Sequence, residues 1–294
     1  MIFQKLLQSF SSSDSRPSSV VLQVVSDLHL EINQQYPSFQ VPVCAKYLIL
    51  GGDTGRLVDY DKYLDFVREQ TNQFEKVLLV LGNHEFYGGP YTAGLRKAKR
   101  LEQEPSLNGK LVVLHQRRYD IPDSNVTILG CTLWSHVPNE KKAIVERKVQ
   151  DFCQIDGWKI SNHNTAHEAD SQWLLREIAS IREGNQKLAK QDQRSIVVVT
   201  HHAPSLQKTS SPQHEKNSWS CAFGSNLLHR ASAGVKVWVF GNTHHTTEFK
   251  YKGTKVVSNQ RGYVFPWLQS STASKNGNKN GTKNKFDAGK VIRV

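Results

Sequence analysis

The segment VKVWVFGNTHH, residues 235–245, runs from an apolar stretch through a glycine into an amide and two imidazoles. The apolar part, residues 235–240, has the length and the valine content of a strand buried on both faces. Asn242 and His244, which follow almost at once, carry side chains that bind metal ions. The segment therefore predicts a buried strand whose carboxyl end belongs to a functional site.

Four other apolar runs end in the same way. They occupy residues 20–25, 47–50, 77–81 and 196–199. The residues that follow them are Ser-Asp-Leu-His, Gly-Gly-Asp, Gly-Asn-His-Glu and Thr-His-His, in chain order. Helical patterns at 59–74 and 167–182 lie between these runs, and alternating strands and helices predict an α/β fold. Since ligand sites in such sheets lie beyond the carboxyl ends of the strands, we expect the five strand ends to converge on one crevice.

Weaker patterns complete the chain. Residues 110–114 and 126–129 are two more candidate strands, and residues 286–294 regain strand character. The less regular segment 136–166 is predicted to form a cap or rim over the site.

Two polar segments stand outside the apolar pattern. Residues 1–19 end in SSSDSRPSS and are predicted to be a flexible lead-in. Residues 270–285 (SSTASKNGNKNGTKNK) form a low-complexity insertion, which is predicted to be a disordered loop. The sequence contains no internal repeat and no clear linker, so residues 20–294 are predicted to form a single domain.

The charge of the chain favours anionic partners. The 294 residues include 38 Lys and Arg against 26 Asp and Glu, a formal net charge of +12. This balance favours phosphate esters, nucleotides, nucleic acid or an acidic membrane surface, without choosing among them. With 38% hydrophobic residues, the chain is long enough to bury the core of one large α/β domain.

The cysteines and the amino-terminal segment bear on location. Cys44, Cys131, Cys153 and Cys221 form neither a CxxC pair nor a framework pattern, which predicts reduced thiols. MIFQKLLQSF lacks the apolar core and the cleavage site of a signal peptide, and no window reaches the length of a membrane span. We therefore expect a cytoplasmic protein with no membrane partner.

Each metal-capable motif has an ordinary alternative when it is taken alone. Asp27 and His29 are two residues apart, so an extended backbone places both side chains on one side, but a surface pair has the same spacing. Asp53 follows a Gly-Gly turn and Asn83 follows Gly82, as turn-forming residues often do. Together, however, the motifs place Asp, His, Asp, Asn, His and His at successive strand ends. Turns and surface residues do not predict this order.

The ordered set D-x-H, G-D, G-N-H-E, T-H-H and G-N-T-H, from residue 27 to residue 244, resembles the motifs of the calcineurin-like metallophosphoesterase superfamily. The resemblance implies two packed mixed β-sheets flanked by helices, a four-layer sandwich with a dinuclear metal centre at the strand ends. It implies two divalent ions, which are Mn²⁺, Fe, Zn²⁺ or Mg²⁺. It also implies hydrolysis of a small phosphomonoester or phosphodiester by a hydroxide that bridges the two ions.

The resemblance also implies roles for individual residues. The implied ligands are Asp27, His29 and His244 for the first ion, Asn83 and His201 for the second, and Asp53 bridging both. His84 resembles the catalytic histidine that contacts the phosphate or protonates the leaving oxygen, and Glu85 is expected to orient or tune it.

Asn242 departs from the family pattern, which has a histidine there as a ligand of the second ion. An amide oxygen is a neutral and weaker donor, so we predict that the second ion binds weakly or prefers oxygen ligands, as Mn²⁺ and Mg²⁺ do. The eroded ligand set leaves a second hypothesis open, in which the protein is a catalytically weakened scaffold that binds a protein partner.

Arg261 and His163 are the candidate substrate-binding residues. Arg261 would stabilise the equatorial oxygens of a phosphate, with a solvated loop charge as the alternative. His163 lies near Trp158 and would line a rim of the site, with capping of the next helix as the alternative. A nucleic-acid partner is disfavoured because the Lys- and Asn-rich segment lacks interleaved aromatic residues. The oligomeric state stays open.

Overall fold

The structure, a computed structural model, describes residues 19–265 and 285–294. The strands are β1 (Val21–Val25), β2 (Tyr47–Gly51), β3 (Lys76–Val80), β4 (Gly89–Pro90), β5 (Leu111–Val113), β6 (Arg117–Asp120), β7 (Val126–Cys131), β8 (Ile155–Asp156), β9 (Ser195–Thr200), β10 (Val235–Phe240), β11 (Glu248–Tyr251), β12 (Thr254–Ser258) and β13 (Val291–Arg293). The α-helices are α1 (Tyr60–Gln73), α2 (Tyr91–Glu102), α3 (Lys142–Lys148), α4 (Asp151–Gln154), α5 (Ile160–Gln186) and α6 (Leu228–Ala231).

The strands form two mixed sheets, as the sequence predicts. The first sheet has the order β13-β1-β2-β3-β5, and only β13 runs antiparallel to its neighbour. The second sheet has the order β11-β12-β10-β9-β7-β6, with antiparallel strands at both edges. The short strands β4 and β8 form a separate parallel pair. The central strands of both sheets are parallel, so each sheet brings several carboxyl ends to one edge.

Three apolar layers hold the sheets and helices together. Between the sheets, Val24 and Ile49 of the first sheet share one buried cluster with Val197 and Val239 of the second. The outer face of the first sheet packs against α1 and α2, and that of the second packs against α5 and α6. Because both faces of each sheet are covered, the strands read as continuous apolar runs. The predicted four-layer sandwich is confirmed.

Most of the predicted elements lie within a few residues of their observed bounds. The pattern at 59–74 is α1, whereas the pattern at 167–182 is part of the longer α5, which begins at Ile160. Residues 286–294 close the first sheet through β13. The predicted lead-in and the low-complexity insertion lie outside the described residues, apart from Ser19 and Lys285.

The four cysteines are free, in line with the predicted reduced thiols. Among the described residues, no helix combines the length and the apolar character that a membrane crossing requires.

A buried carboxyl on α5 makes the stability of this fold depend on pH. Asp170 accepts hydrogen bonds from the backbone N–H of Leu133 and from Gln116 Nε2, both at 2.8 Å. Burial raises its pKa from 3.8 to about 7. The folded protein therefore holds a proton that the unfolded chain releases, and stability falls as the pH rises through this interval.

We expect Asp170→Asn to remove this pH dependence. Between pH 5 and pH 8 the free energy of unfolding of the wild type should fall by about 2 kcal/mol relative to that of the variant, because the amide cannot ionise. The Gln116 amide can rotate to offer its oxygen to the new amide N–H. Urea unfolding of both proteins at the two pH values measures the difference, and parallel pH profiles would contradict the expectation.

Candidate metal centre

Five parallel strands bring the predicted ligands to one place. Their carboxyl ends lie at one edge of each sheet, and the two edges adjoin. The residues that follow these ends are Asp27 and His29 after β1, Asp53 after β2, Asn83 after β3, His201 after β9 and His244 after β10. The strand-end convergence expected from the sequence is therefore present.

The ligand atoms of these residues form three overlapping groups. Within each group, one ligand atom of every member lies within 4.8 Å of the others. The groups are Asp27, His29 and His244; His29, Asp53 and His84; and Asp27, Asp53 and His201. The Asp53 carboxylate lies between two imidazoles, with Oδ2 3.7 Å from His29 Nε2 and Oδ1 3.4 Å from His201 Nε2. It therefore has the placement that a bridging carboxylate requires.

The two histidines of the first group face each other through ring nitrogens. His29 Nε2 lies 2.8 Å from His244 Nε2, and His244 Nε2 lies 3.6 Å from Asp27 Oδ1. His29 is buried, whereas the His244 side chain is about 30% exposed at the rim. Two basic nitrogens this close repel each other unless a proton or a cation lies between them.

Hydrogen bonds orient the second set of ligands. Asn83 Nδ2 donates to Asp151 Oδ1 at 2.8 Å and to the Tyr87 hydroxyl at 3.1 Å, so its oxygen turns inward. That oxygen lies 3.0 Å from His201 Nε2. His201 Nδ1 lies 3.0 Å from the carbonyl of Gly51, which fixes Nδ1 as the protonated nitrogen and leaves Nε2 free for a ligand.

The backbone around the site is strained. Five of the seven predicted ligands have a left-handed φ, which is uncommon outside glycine: Asp27, His29, Asp53, Asn242 and His244. Such strain clusters at functional sites. Two neighbouring glycines are also required by space. A Cβ at Gly52, where φ is 93°, would lie 2.3 Å from His201 Nδ1, and one at Gly82 would lie 2.2 Å from Asp53 Oδ1.

His84 lies beside this cluster and lines the adjoining cavity. Its Nδ1 lies 2.8 Å from Glu31 Oε1, and its Nε2 lies 3.2 Å from the Tyr263 hydroxyl and 4.0 Å from Asp53 Oδ2. Burial disfavours the charged ring, but Asp53 and Glu31 outweigh this effect and raise the pKa of His84 to about 9. The charges of Asp53 and Glu31 therefore favour the protonated ring.

The contacts of Glu85 are with the backbone of two turns. Its buried carboxylate accepts backbone N–H groups of Gly82 at 2.7 Å, Thr54 at 2.8 Å and Asp53 at 2.9 Å. It therefore fixes the two turns that carry Asp53 and Asn83 and makes no direct hydrogen bond to His84 among those described, so tuning of His84 stays a prediction. Burial and the neighbouring Asp53 raise the pKa of Glu85 to about 7.

Comparison with known proteins agrees with this architecture. The sequence profile of the calcineurin-like phosphoesterase family matches residues 22–246. The chain belongs to this family. The uncharacterized protein L509 of Acanthamoeba polyphaga mimivirus is 26% identical over 265 residues, covering 83% of this chain and 91% of the viral protein. A phosphopantetheinyl hydrolase from Mycobacterium tuberculosis shares the fold with a TM-score of 0.58 at 18% identity, over 88% of this chain and 94% of that structure.

The residues present fit the divalent ions that calcineurin-like phosphoesterases use. The donor set combines imidazole nitrogens with carboxylate and amide oxygens, which suits Mn²⁺, Fe, Zn²⁺ and, for the oxygen-rich part, Mg²⁺. The inward oxygen of Asn83 and the facing nitrogens of His29 and His244 are the local signs of this fit. The structure brings together six of the seven predicted ligands through direct contacts among their side chains.

Asn242, the departure from the family pattern, also lies at the site. Its backbone N–H donates to Asp27 Oδ1 at 2.9 Å, and its side chain lines the cavity. The side-chain Nδ2 lies 3.4 Å from the Phe223 carbonyl, a long hydrogen bond. Whether its oxygen binds the second ion stays a prediction.

The two candidate substrate-binding residues point elsewhere. Arg261 donates to the Leu28 carbonyl at 3.1 Å and to Gln35 Oε1 at 2.7 Å, and its guanidinium stacks over Phe39. His163 is fully buried beside Ser135, and burial lowers its pKa to about 3. Neither belongs to the described residues that line the cavity. His163 lies in the protein interior, and the half-buried Arg261 side chain is held by Leu28, Gln35 and Phe39, so their contact with substrate stays a prediction.

Three partners of the site were missed by sequence reasoning. Glu31 contacts both His29 and His84, Asp151 orients Asn83, and Tyr263 faces His84. Glu31 stands two residues after His29, the same spacing that links Asp27 to His29, which was a usable signal. Asp151 and Tyr263 carry no local signal, since their contacts join distant parts of the chain.

Proposed function

We propose that this calcineurin-like phosphoesterase is a metal-dependent hydrolase of a phosphomonoester or phosphodiester. The observation that supports this most directly is the set of overlapping groups of Asp and His ligand atoms at the strand ends. Asp27, His29 and His244 would hold one ion, Asn83 and His201 the other, and Asp53 both. Bound divalent ions would supply a water of lowered pKa and neutralise charge on the phosphate.

The chain itself supplies the proton for the leaving oxygen. His84 lines the cavity, and Glu31 holds its Nδ1 through a 2.8 Å hydrogen bond, which leaves Nε2 as the ring nitrogen that can exchange a proton with a ligand. A proton held at Nε2 is placed for transfer to an alkoxide or phenoxide that departs into the cavity. The Tyr263 hydroxyl, 3.2 Å from Nε2, steadies the same face of the ring.

The direct test is hydrolysis by the metal-stripped protein after Mn²⁺, Fe²⁺, Zn²⁺ or Mg²⁺ is restored. We expect 4-nitrophenyl phosphate or bis(4-nitrophenyl) phosphate to be hydrolysed only when an ion is present, and the preferred substrate assigns the ester class. A protein that binds two ions and hydrolyses neither compound, nor a wider panel of esters, would contradict the proposal.

Glu31→Gln is expected to lower kcat about 10- to 100-fold, the usual range for a partner that orients a site histidine. The neutral amide removes the charge that holds the proton on His84. Glu104→Gln is the matched control. Glu104 accepts a 2.6 Å hydrogen bond from the Tyr60 hydroxyl, and this pair lies away from the site. Equal kcat losses in the two variants would show that Glu31 has no special role.

Asn242 keeps the scaffold hypothesis open, because the second ion has one imidazole fewer than the family pattern provides. We expect Asn242→His to tighten the weaker of two Mn²⁺ sites several-fold, since imidazole is the stronger donor. The left-handed φ of 70° at this position is one that histidine tolerates better than most residues. Manganese titration followed by electron paramagnetic resonance measures both sites. An unchanged weaker site would show that another group already fills the position.

The cytoplasmic location, the absence of a nucleic-acid partner and the single domain over residues 20–294 remain predictions from the sequence.

A further inference from the structure

The cavity beside the metal centre is formed largely by a lobe outside the family motifs. Its volume is about 370 Å³. Residues 148–151 form one wall, and residues between 203 and 224 form another. These two segments are joined by their own small apolar cluster, in which Val145 and Val149 pack with Ala222, Trp219 and Phe223. The lobe is therefore an ordered part of the cavity wall.

The chemistry of the lining changes with distance from the strand ends. Near the centre, the cavity is lined by Asp53, Asn83, His84 and His244, and by Asp151, which is bonded to Asn83. Along the lobe, the lining is mostly neutral and polar or aromatic. These lobe residues include Ser205, Thr209, Ser210, Asn217, Trp219, Ser220 and Phe223. The lobe thus offers hydroxyl, amide and ring contacts to whatever extends away from the reacting phosphate.

The lobe carries one permanent positive charge among the described residues that line the cavity. Of the described residues that line the cavity, Lys148 is the only lysine or arginine. Its Nζ lies 5.6 Å from the centre of the ring of Trp219, a residue of the opposite wall. Among the described residues, no carboxylate lies within ion-pair distance of this ammonium. A cation without a counter-charge, held over an aromatic face, is available to an anionic group of a ligand.

We infer that Lys148 recognises a second negative charge on the substrate, carried by the leaving group that lies along the lobe. The inference rests on the proposed hydrolase function and narrows it to phosphoesters whose leaving group bears a carboxylate, phosphate or sulfate. The reacting phosphate lies at the strand ends, where the ions would neutralise it. The ammonium on the lobe is therefore left for the distal group.

The test uses two leaving groups that differ only in charge. The phosphate esters of 3-(4-hydroxyphenyl)propionate and of its propionamide share the same phenol, so their intrinsic reactivity is closely matched. Both are compared as monoesters and as methyl diesters, with the phenol released measured under kcat/KM conditions. The proteins are the wild type, Lys148→Ala, Lys148→Arg and Lys142→Ala. Lys142 is the matched control, an exposed lysine at the start of the same helix that is not among the described cavity-lining residues.

We expect the wild type to hydrolyse the carboxylate ester with a higher kcat/KM than the amide ester. In Lys148→Ala the ratio of these two kcat/KM values should fall about 10-fold. This is the low end for a charged hydrogen bond, because Lys148 is exposed. Lys148→Arg and Lys142→Ala should both keep the preference. An equal loss on both esters in Lys148→Ala would overturn the inference and leave the hydrolase proposal standing, as would a wild type with no preference. Absence of hydrolysis of every ester with any ion would overturn the hydrolase proposal, and this inference with it.

Discussion

Asp53→Asn is expected to reduce phosphoesterase activity by at least about 10³-fold, because the chemistry supplied by bound ions is worth several kcal/mol. The variant should also retain fewer than two divalent ions. The Asp53 carboxylate is buried between His29 and His201, at 3.7 and 3.4 Å, and no other side chain in the groups described above contacts both imidazoles so closely. An amide keeps the shape of this group and removes the charge that two cations require.

The control for this variant makes the same chemical change in another buried residue. Asp170→Asn also replaces a buried aspartate, but Asp170 contacts Gln116 and Leu133 and is not among the described residues that line the cavity. We expect it to keep wild-type metal content and activity. Metal content by mass spectrometry, together with kcat and the unfolding midpoint, separates loss of the centre from loss of the fold. Two retained ions in Asp53→Asn would show that Asp53 does not bridge.

The strand ends could be predicted because composition alone marks them. The run at 235–240 coincides with β10, Val235–Phe240, and every residue of this strand except Lys236 is buried. A run so apolar must be covered on both faces, and this leaves few folds open. Parallel strands covered in this way place their carboxyl ends together, so the polar residues after them had to meet.

The individual ligands converge for a different reason from the one that their sequence spacing suggests. A separation of two residues would place Asp27 and His29 on one side only in an extended backbone. In the structure both residues have left-handed φ values, 54° and 48°, and lie beyond the end of β1. Their convergence comes from a strained loop, which short-range periodicity does not encode. The same holds for Asn242 and His244.

The remaining contacts could not be predicted because they depend on the packing of distant segments. Asn83 and Asp151 are 68 residues apart, and Tyr263 lies 179 residues beyond His84. Arg261 shows the converse case. A single basic residue near predicted strand ends suggests a phosphate contact, yet tertiary packing turns its guanidinium toward Leu28, Gln35 and Phe39.

His84→Gln is expected to lower kcat about 10²- to 10⁴-fold, the range for loss of a general acid, while both divalent ions are retained. Glutamine keeps a polar group near Glu31 but cannot hold a transferable proton. The loss should be larger for alkyl esters than for 4-nitrophenyl esters. The reason is that 4-nitrophenolate departs without a proton, whereas an alkoxide needs one. This dependence on the leaving group distinguishes proton donation from a purely structural effect.

Metal content decides between the two roles that the position of His84 allows. His84 forms one of the close groups with His29 and Asp53, so its geometry also admits a metal ligand. A variant that loses an ion together with activity would assign His84 to the centre, whereas an equal loss on alkyl and 4-nitrophenyl esters with both ions retained would contradict proton donation. His115→Gln is the control, a half-buried histidine that is not among the described cavity-lining residues and whose pKa is lowered by burial. Since His84 lines the cavity and its Nδ1 is held by Glu31, we expect retained ions and a loss that grows with the basicity of the leaving group.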